Sequence, residues 1–123
     1  MVLIDSSSWI ESLRLRGRME VRQRVAAVLE RGDAAWCNMI RLELWNGARG
    51  DREKRTLRDF EAVVVNLQID EEVWKIAIAL ADRARKTGLS APAGDLVILA
   101  CARRHQVAIE HCDDHFRLLE QLA

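Results

Sequence analysis

The sequence predicts an α/β fold in which a mainly parallel sheet is covered by helices on both faces. Two observations predict it. Short apolar runs at residues 2–4, 34–38 and 106–112 alternate with amphipathic stretches of helical length, the pattern that parallel strands and crossover helices require. Nothing breaks that alternation: Pro92 is the one proline, and no repeat, linker or low-complexity stretch marks a division. The 123 residues therefore read as one domain, 1–123, long enough for a sizeable core.

Each element has its own signal. Residues 2–4 are Val, Leu and Ile, a strand-forming run. Ser6 to Ser8 can cap a short helix over residues 9–15, with Glu11 three positions after Ser8 as a capping box, and Gly17 ends it. A second helix spans residues 19–30, with Val21, Val25, Val28 and Leu29 on one face. The turn Gly32-Asp33 leads to a second strand in "AAWCN". Asn38 is a candidate cap for a helix at 40–45 that stops at Asn46-Gly47. Residues 51–61 are charged and helical, and "VVVNLQI" holds a short strand or an extended link. Asp70 should cap a helix that buries Val73, Trp74, Ala77, Ile78 and Ala81 and ends at Gly88. Pro92 suits the first turn of a helix continuing through residues 95–104. "QVAIEHC" is the last strand, and residues 114–122 the last helix.

Composition excludes several classes. With 50% hydrophobic and 31% charged residues the chain is an ordinary globular one, not a disordered one. No stretch approaches the roughly 18 apolar residues of a membrane span. Asp5 and the lack of a basic leader argue against a signal peptide, so a cytoplasmic protein without membrane contact is expected. Cys37, Cys101 and Cys112 are too scattered for a disulfide framework or a zinc site, and Cys37 and Cys112 are expected to be buried. Net charge is zero, yet 16 of the 19 basic residues are Arg. Arg14, Arg16, Arg18, Arg22 and Arg24, and a second set of Arg49, Arg52 and Arg55, are candidates to guide a phosphate backbone. Solvated helix faces are the alternative reading of both sets.

The functional signal lies in the acids. "VLID" and "VAIEHCDDHF" each run an apolar strand straight into an aspartate. In an open parallel sheet ligands gather at the C-terminal strand ends, which is where Asp5 and Asp113 belong. Each also suits a helix cap. Glu43 sits in "RLELWNG" between Leu42 and Leu44, and Asp95 opens an apolar helix in "GDLVILACA". Carboxylates that converge repel one another, and the usual compensation is a hard cation such as Mg²⁺, or Mn²⁺ in its place.

These four stretches, in this order, resemble the motifs of PIN-domain ribonucleases, and specifically the toxin components of VapBC-type toxin–antitoxin pairs. "VLIDSSSWI" resembles the family opening, with Asp5 and, two residues on, Ser7. "RLELWNG" places Glu43 as the second acid, "GDLVILACA" Asp95 as the third, and "HCDDHF" Asp113 and Phe116 as the last. The resemblance runs from residue 2 to about residue 119. It implies a PIN-like three-layer α/β/α sandwich and metal-assisted hydrolysis of RNA phosphodiester bonds. Asp5, Glu43, Asp95 and Asp113 would be both the catalytic and the Mg²⁺-binding residues, with Ser7 supporting a carboxylate from behind. Relatives often carry a further acid two residues beyond the last; here His115 stands there, expected at the rim of the site, which would weaken a second ion. Asp114 is expected to face solvent or cap the last helix. The resemblance also implies a cognate antitoxin and a homodimer. Trp9 and Leu13, read as exposed residues of the first two helices, would help form the antitoxin's groove.

Rival readings have less in the sequence. A haloacid-dehalogenase-like phosphatase needs a second Asp where Ser7 stands, and a receiver domain needs a mid-sheet Asp and a late Lys, whereas Lys86 is the last Lys. A PIN-like domain that binds RNA or a protein partner without cleaving remains the alternative, with His115 as the reason.

Overall fold

The computed structural model describes residues 1–122. The elements follow as β1 (Val2–Ile4), α1 (Ser6–Leu13), α2 (Met19–Glu30), β2 (Ala34–Cys37), α3 (Asn38–Asn46), α4 (Gly50–Val63), β3 (Val65–Leu67), α5 (Glu71–Lys86), α6 (Ala93–His105), β4 (Ala108–Glu110) and α7 (Asp114–Glu120). The sheet is all-parallel with order β3-β2-β1-β4, the centre of a PIN-like α/β/α sandwich as the sequence predicts. Covering both faces explains why β2 is buried at every position while the edge strands expose Val65, Asn66 and Ala108. Trp9 and Trp36 lie in the core with ring centroids 5.7 Å apart, and Phe60 packs on Trp9 at 4.8 Å.

Strand order positions the site. From β1 the chain builds outward through β2 to β3, then returns across the sheet to lay β4 against the other side of β1. The C-terminal ends of β1 and β4 therefore flank a topological switch point, where neighbouring crossovers diverge and leave a crevice. Ile4 is in register with Glu110, so the residues that follow the two strands emerge side by side.

Several expectations are corrected. Helix α1 begins at Ser6, not residue 9, because Asp5 caps it by accepting from the Ser7 amide at 3.1 Å. Ser8 is inside the helix and donates to Glu110 at 3.0 Å instead of capping. Asn38 is likewise not a cap: α3 leaves β2 directly, and the Asn38 amide oxygen accepts from Arg41 and Asn66. Gly17 closes the turn after α1 because any Cβ there would fall 1.8 Å from the Glu11 carbonyl oxygen. Trp9 and Leu13 are buried, so they form no docking groove; Ile10, Leu15 and Met19 are the exposed apolar residues of this region. Cys112 is only half-buried, and Leu42 beside Glu43 is exposed.

Helix α5 is capped by Asp70 as expected, through the Val73 amide at 3.0 Å, but it buries a different face. Val73, Ala77, Leu80 and Ala84 form the inward stripe, while Trp74 and Ile78 stand 44% and 70% exposed. The two sets are rotated about 100° apart, and α6 packs on the first. No helix among the described residues is long and apolar enough to cross a membrane.

Candidate active site

Asp5 follows β1 and is 4% exposed. Its Oδ2 accepts from the Ser7 amide and, at 2.6 Å, from the Ser7 hydroxyl. Ser7 Oγ in turn accepts from the Cys112 amide at 3.2 Å, tying the β4–α7 loop to the start of α1. Asp113 is the N-cap of α7, where its Oδ1 accepts from the His115 and Phe116 amides. Asp114 faces solvent and pairs with Arg117. Asp5 and Asp113 are thus both helix caps and candidate site acids. Capping occupies one oxygen of each and leaves Asp5 Oδ1 and Asp113 Oδ2 without a partner among the described residues.

Glu43 stands on α3 at the rim. Its residue surface is largely open, yet its Oε1 turns inward to accept from Ser6 Oγ at 2.7 Å. Burial pushes its carboxyl above the ordinary value and Asp5 adds to this, while the Ser6 hydroxyl opposes both. Gly94, just before Asp95, lets α6 approach closely: a Cβ there would sit 3.3 Å from Glu43 Oε2. Asp95, in the first turn of α6, is pushed up to about 6, first by burial and then by Asp5, Asp113 and Glu43, with His115 opposing.

The fold therefore brings Asp5, Glu43, Asp95 and Asp113 into one electrostatic neighbourhood, with Ser7 behind Asp5 and His115 near Asp95. They converge without closing into a cage: among the described residues no three His, Cys, Asp or Glu side chains are grouped to hold an ion as they stand. The donor set is nonetheless suited to a hard divalent cation. Every candidate donor is a carboxylate oxygen, all four acids keep at least one oxygen uncommitted among the described residues, and the upward push on Asp95, due first to burial, includes repulsion by the other three that a cation would relieve.

The sequence matches the PIN domain family over residues 2–122. The chain belongs to the PIN-domain family. Among curated relatives of this PIN domain, VapC ribonuclease Mb1587 of Mycobacterium bovis is 30% identical over 127 aligned residues, covering 99% of this chain and 93% of the relative. Ribonuclease VapC21 of Mycobacterium tuberculosis is 32% identical over 101 residues, covering 78% and 72%. Among solved structures, FitAcB from Neisseria gonorrhoeae superposes with a TM-score of 0.75 at 20% identity, covering 100% of this chain and 95% of that one. VapBC-1 from nontypeable Haemophilus influenzae gives 0.75 at 18%, covering 99% and 95%.

Two participants around the PIN-domain site carried no signal in the sequence. Ser6 read only as part of a cap, yet it holds Glu43. Glu110 ends β4: its backbone oxygen accepts from the Asp5 amide at 2.9 Å, and its carboxylate accepts from Ser8 and from Arg24. The strand register alone reveals it, since it sits opposite Ile4.

The arginine sets divide. Arg14 Nη1 donates to both carboxylate oxygens of the 5% exposed Glu53, at 2.5 and 2.7 Å, and Arg52 donates to the Leu13 carbonyl at 2.6 Å. Burial alone would raise the Glu53 carboxyl, but the Arg49 amide and the Arg14 guanidinium outweigh it and hold it below the usual range. These contacts lock α4 to α1. Arg22 donates to the Leu15 carbonyl, Arg18 reaches Glu11 and the Cys112 carbonyl, and Arg24 reaches Glu110. Among the described residues the side chains of Arg16, Arg49 and Arg55 have no ion-pair or hydrogen-bond partner, so each candidate set holds both engaged and free arginines.

Proposed function

We propose that this chain is a divalent-metal-dependent endoribonuclease, the toxin of a toxin–antitoxin pair, using Mg²⁺ or Mn²⁺ at the carboxylate cluster. What supports the reading is that Asp5 and Asp113 follow β1 and β4 at the switch point while α3 and α6 bring Glu43 and Asp95 near them, so that Asp95 is pushed up to about 6, first by burial and then by the other three acids. The names of the relatives, VapC ribonucleases, support it. A bound divalent ion would supply positive charge for the phosphoryl oxygens and acidify the attacking water. The chain's own groups do the rest. Asp5, anchored by Ser7, Asp113, anchored by the amides of α7, and Asp95 would hold the ion. Glu43, its proton affinity raised first by burial, would complete the ion's shell or position the attacking water, whose oxygen bonds to phosphorus as the P–O bond to the leaving oxygen breaks. His115 stays at the rim. A hollow of about 300 Å³ beside Asp113, edged by Arg18, Arg24, His111 and Arg117, would take the neighbouring phosphate, with Glu20 and Asp114 tempering its charge.

The likeness in fold to FitAcB and VapBC-1 supports a cognate antitoxin for this chain. Its landing surface would be the exposed Ile10, Leu15 and Met19 around α1 and α2. A single domain, a homodimer and a cytoplasmic site of action complete the reading.

The test is cleavage of total RNA by purified protein with Mg²⁺ or Mn²⁺, with EDTA and Asp5→Asn as controls. Metal-dependent cuts that vanish in both controls are expected. RNA binding without cleavage under every metal condition would favour the non-cleaving alternative.

A further inference from the structure

The hollow beside Asp113 has a charge pattern that a phosphate alone does not need. It measures about 300 Å³, and its lining includes Arg18, Glu20, Arg24, His111 and Arg117. Every arginine there is already engaged within the chain. Arg18 reaches Glu11 and the Cys112 carbonyl, Arg24 bonds Glu110, and Arg117 bonds Asp114. Glu20 is the exception: among the described residues its side chain has no ion-pair or hydrogen-bond partner. Cys112 is the first cause that raises Arg18 and Glu110 the first that raises Arg24, and Glu20 adds to both. Its carboxylate therefore lies near the two guanidiniums without bonding either. A first-turn acid suits the positive end of α2, which explains the sign of Glu20 but not its place beside arginines that bond elsewhere.

We propose that this hollow is a guanine-selective base subsite for the RNA nucleotide next to the cleaved phosphodiester, with Glu20 as the specificity-determining residue. The inference rests on the nuclease reading above and deepens it by naming the base. Hydrogen-bond complementarity selects guanine. Its Watson–Crick edge carries two adjacent donors, N1–H and the N2 amino group, which match the two oxygens of one carboxylate. Uracil, cytosine and adenine each offer a single donor group on that edge. The neighbouring edge of guanine carries the acceptors O6 and N7, the pair that arginine reads. Nη1 of Arg18 and Nη1 of Arg24 donate to nothing among the described residues, so each guanidinium keeps hydrogens for those acceptors. An uncommitted acid beside arginines with donors to spare thus mirrors the layout of guanine.

The His111 ring supplies a flat surface. Its side chain is 15% exposed and held by three contacts. Phe116 packs against it with ring centroids 5.0 Å apart, its Nδ1 accepts from the Asp113 amide at 3.3 Å, and its Nε2 pairs with Glu120. A histidine ring fixed in this way is a stacking platform for an unpaired base. Asp113, whose amide bonds that ring, is also a candidate ion ligand. A base resting there therefore belongs to the nucleotide adjoining the reacting phosphate.

Binding in EDTA tests this without requiring cleavage. Fluorescence anisotropy at low salt would compare a labelled short oligoadenylate with the same strand carrying one guanine, or one inosine, which lacks the N2 amino group. The guanine strand should bind about 10-fold tighter than the oligoadenylate, within the range for a bidentate side chain–base pair, and the inosine strand should fall between them. Glu20 is exposed, so Glu20→Gln leaves the core untouched. Its amide offers one acceptor group and one donor group, and should cut the guanine preference to about twofold or less. Oligoadenylate binding should hold or tighten as a negative charge is lost. A Glu20 that only tempered charge would shift all three strands alike. Equal binding of the guanine and adenine strands, failure of both to bind, or a preference unchanged in Glu20→Gln would overturn the subsite. Cleavage with Mg²⁺ is read separately. Cuts placed without regard to guanine would sink the subsite and leave the nuclease reading standing, whereas guanine-selective binding without cleavage would support the subsite and sink the nuclease reading.

Discussion

Asp5→Asn separates the structural and chemical roles of Asp5, because Asn caps a helix as well as Asp does. The Asn side-chain oxygen can accept the two bonds now made to Oδ2, from the Ser7 amide at 3.1 Å and the Ser7 hydroxyl at 2.6 Å. The cap is therefore kept, whereas Asp5→Ala loses it at a cost of about 1 kcal/mol. Both variants remove a negative charge beside Asp95. The carboxyl of Asp95 stands at about 6 against an ordinary 3.8, with burial as the first cause and Asp5 as the foremost charge. At about 1.4 kcal/mol per pKa unit the whole shift is roughly 3 kcal/mol before discounting for solvent, and Asp5 accounts for only part of it, behind burial. Urea unfolding in EDTA near neutral pH should then find Asp5→Asn more stable than wild type by less than about 1 kcal/mol, and about 1 kcal/mol more stable than Asp5→Ala. Millimolar Mg²⁺ should stabilise wild type and leave Asp5→Asn unmoved, with cleavage down by more than about 100-fold, the upper end for loss of even a supporting group behind a metal ligand. Equal destabilisation of the Asn and Ala variants in EDTA would refute the electrostatic account. Equal Mg²⁺ stabilisation of wild type and Asp5→Asn would refute Asp5 as a ligand.

A folded-state pKa of about 6 for Asp95, above its ordinary value, means the folded protein holds that proton more tightly. The stabilisation is full below about pH 4 and lost as pH rises through about 6; in EDTA wild type should therefore lose stability relative to Asp95→Asn across that window, and a flat difference would count against it. Arg14→Ala should cost up to about 3 kcal/mol and more than Glu53→Ala, since Arg14 can rehydrate at 26% side-chain exposure while Glu53, at 7%, is left charged and buried; chemical denaturation of both variants decides the order. Gly94→Ala puts a methyl 3.3 Å from Glu43 Oε2 while improving helix propensity. Its unfolding midpoint should hold or rise while Mg²⁺ affinity, measured by titration calorimetry, drops several-fold; unchanged affinity would show that Glu43 has room to yield.

Local signals were read well where local forces decide. Helix α2 spans residues 19–30 as its valine periodicity requires, and Asp70 caps α5 because the Asx side chain meets an amide three residues on. Asp5, Asp95 and Asp113 stood out because each follows or opens an element with its own pattern, whereas Glu43 lies inside α3 and was singled out only by the motif it resembles. Elsewhere distant partners decided. Helical spacing placed Val73, Trp74, Ala77 and Ile78 in one buried set, but an apolar arc wider than one contact does not say which part meets its own core. Arg14 and Arg24 read as free charge until α4 and β4 arrived beside them with Glu53 and Glu110.

Sequence alone determined the alternation of strands and helices, the Asp70 cap of α5, and the acids that follow β1 and β4. Tertiary structure alone decided that those ends are neighbours, since the crossing that sets β4 against β1 spans more than 100 residues of chain. From that adjacency follow the raised proton affinity of Asp95, the Ser7 link between two loops, and the brace that Glu110 forms with Ser8 and Arg24. Electrostatic strength depends on distance through space, and sequence spacing does not encode it.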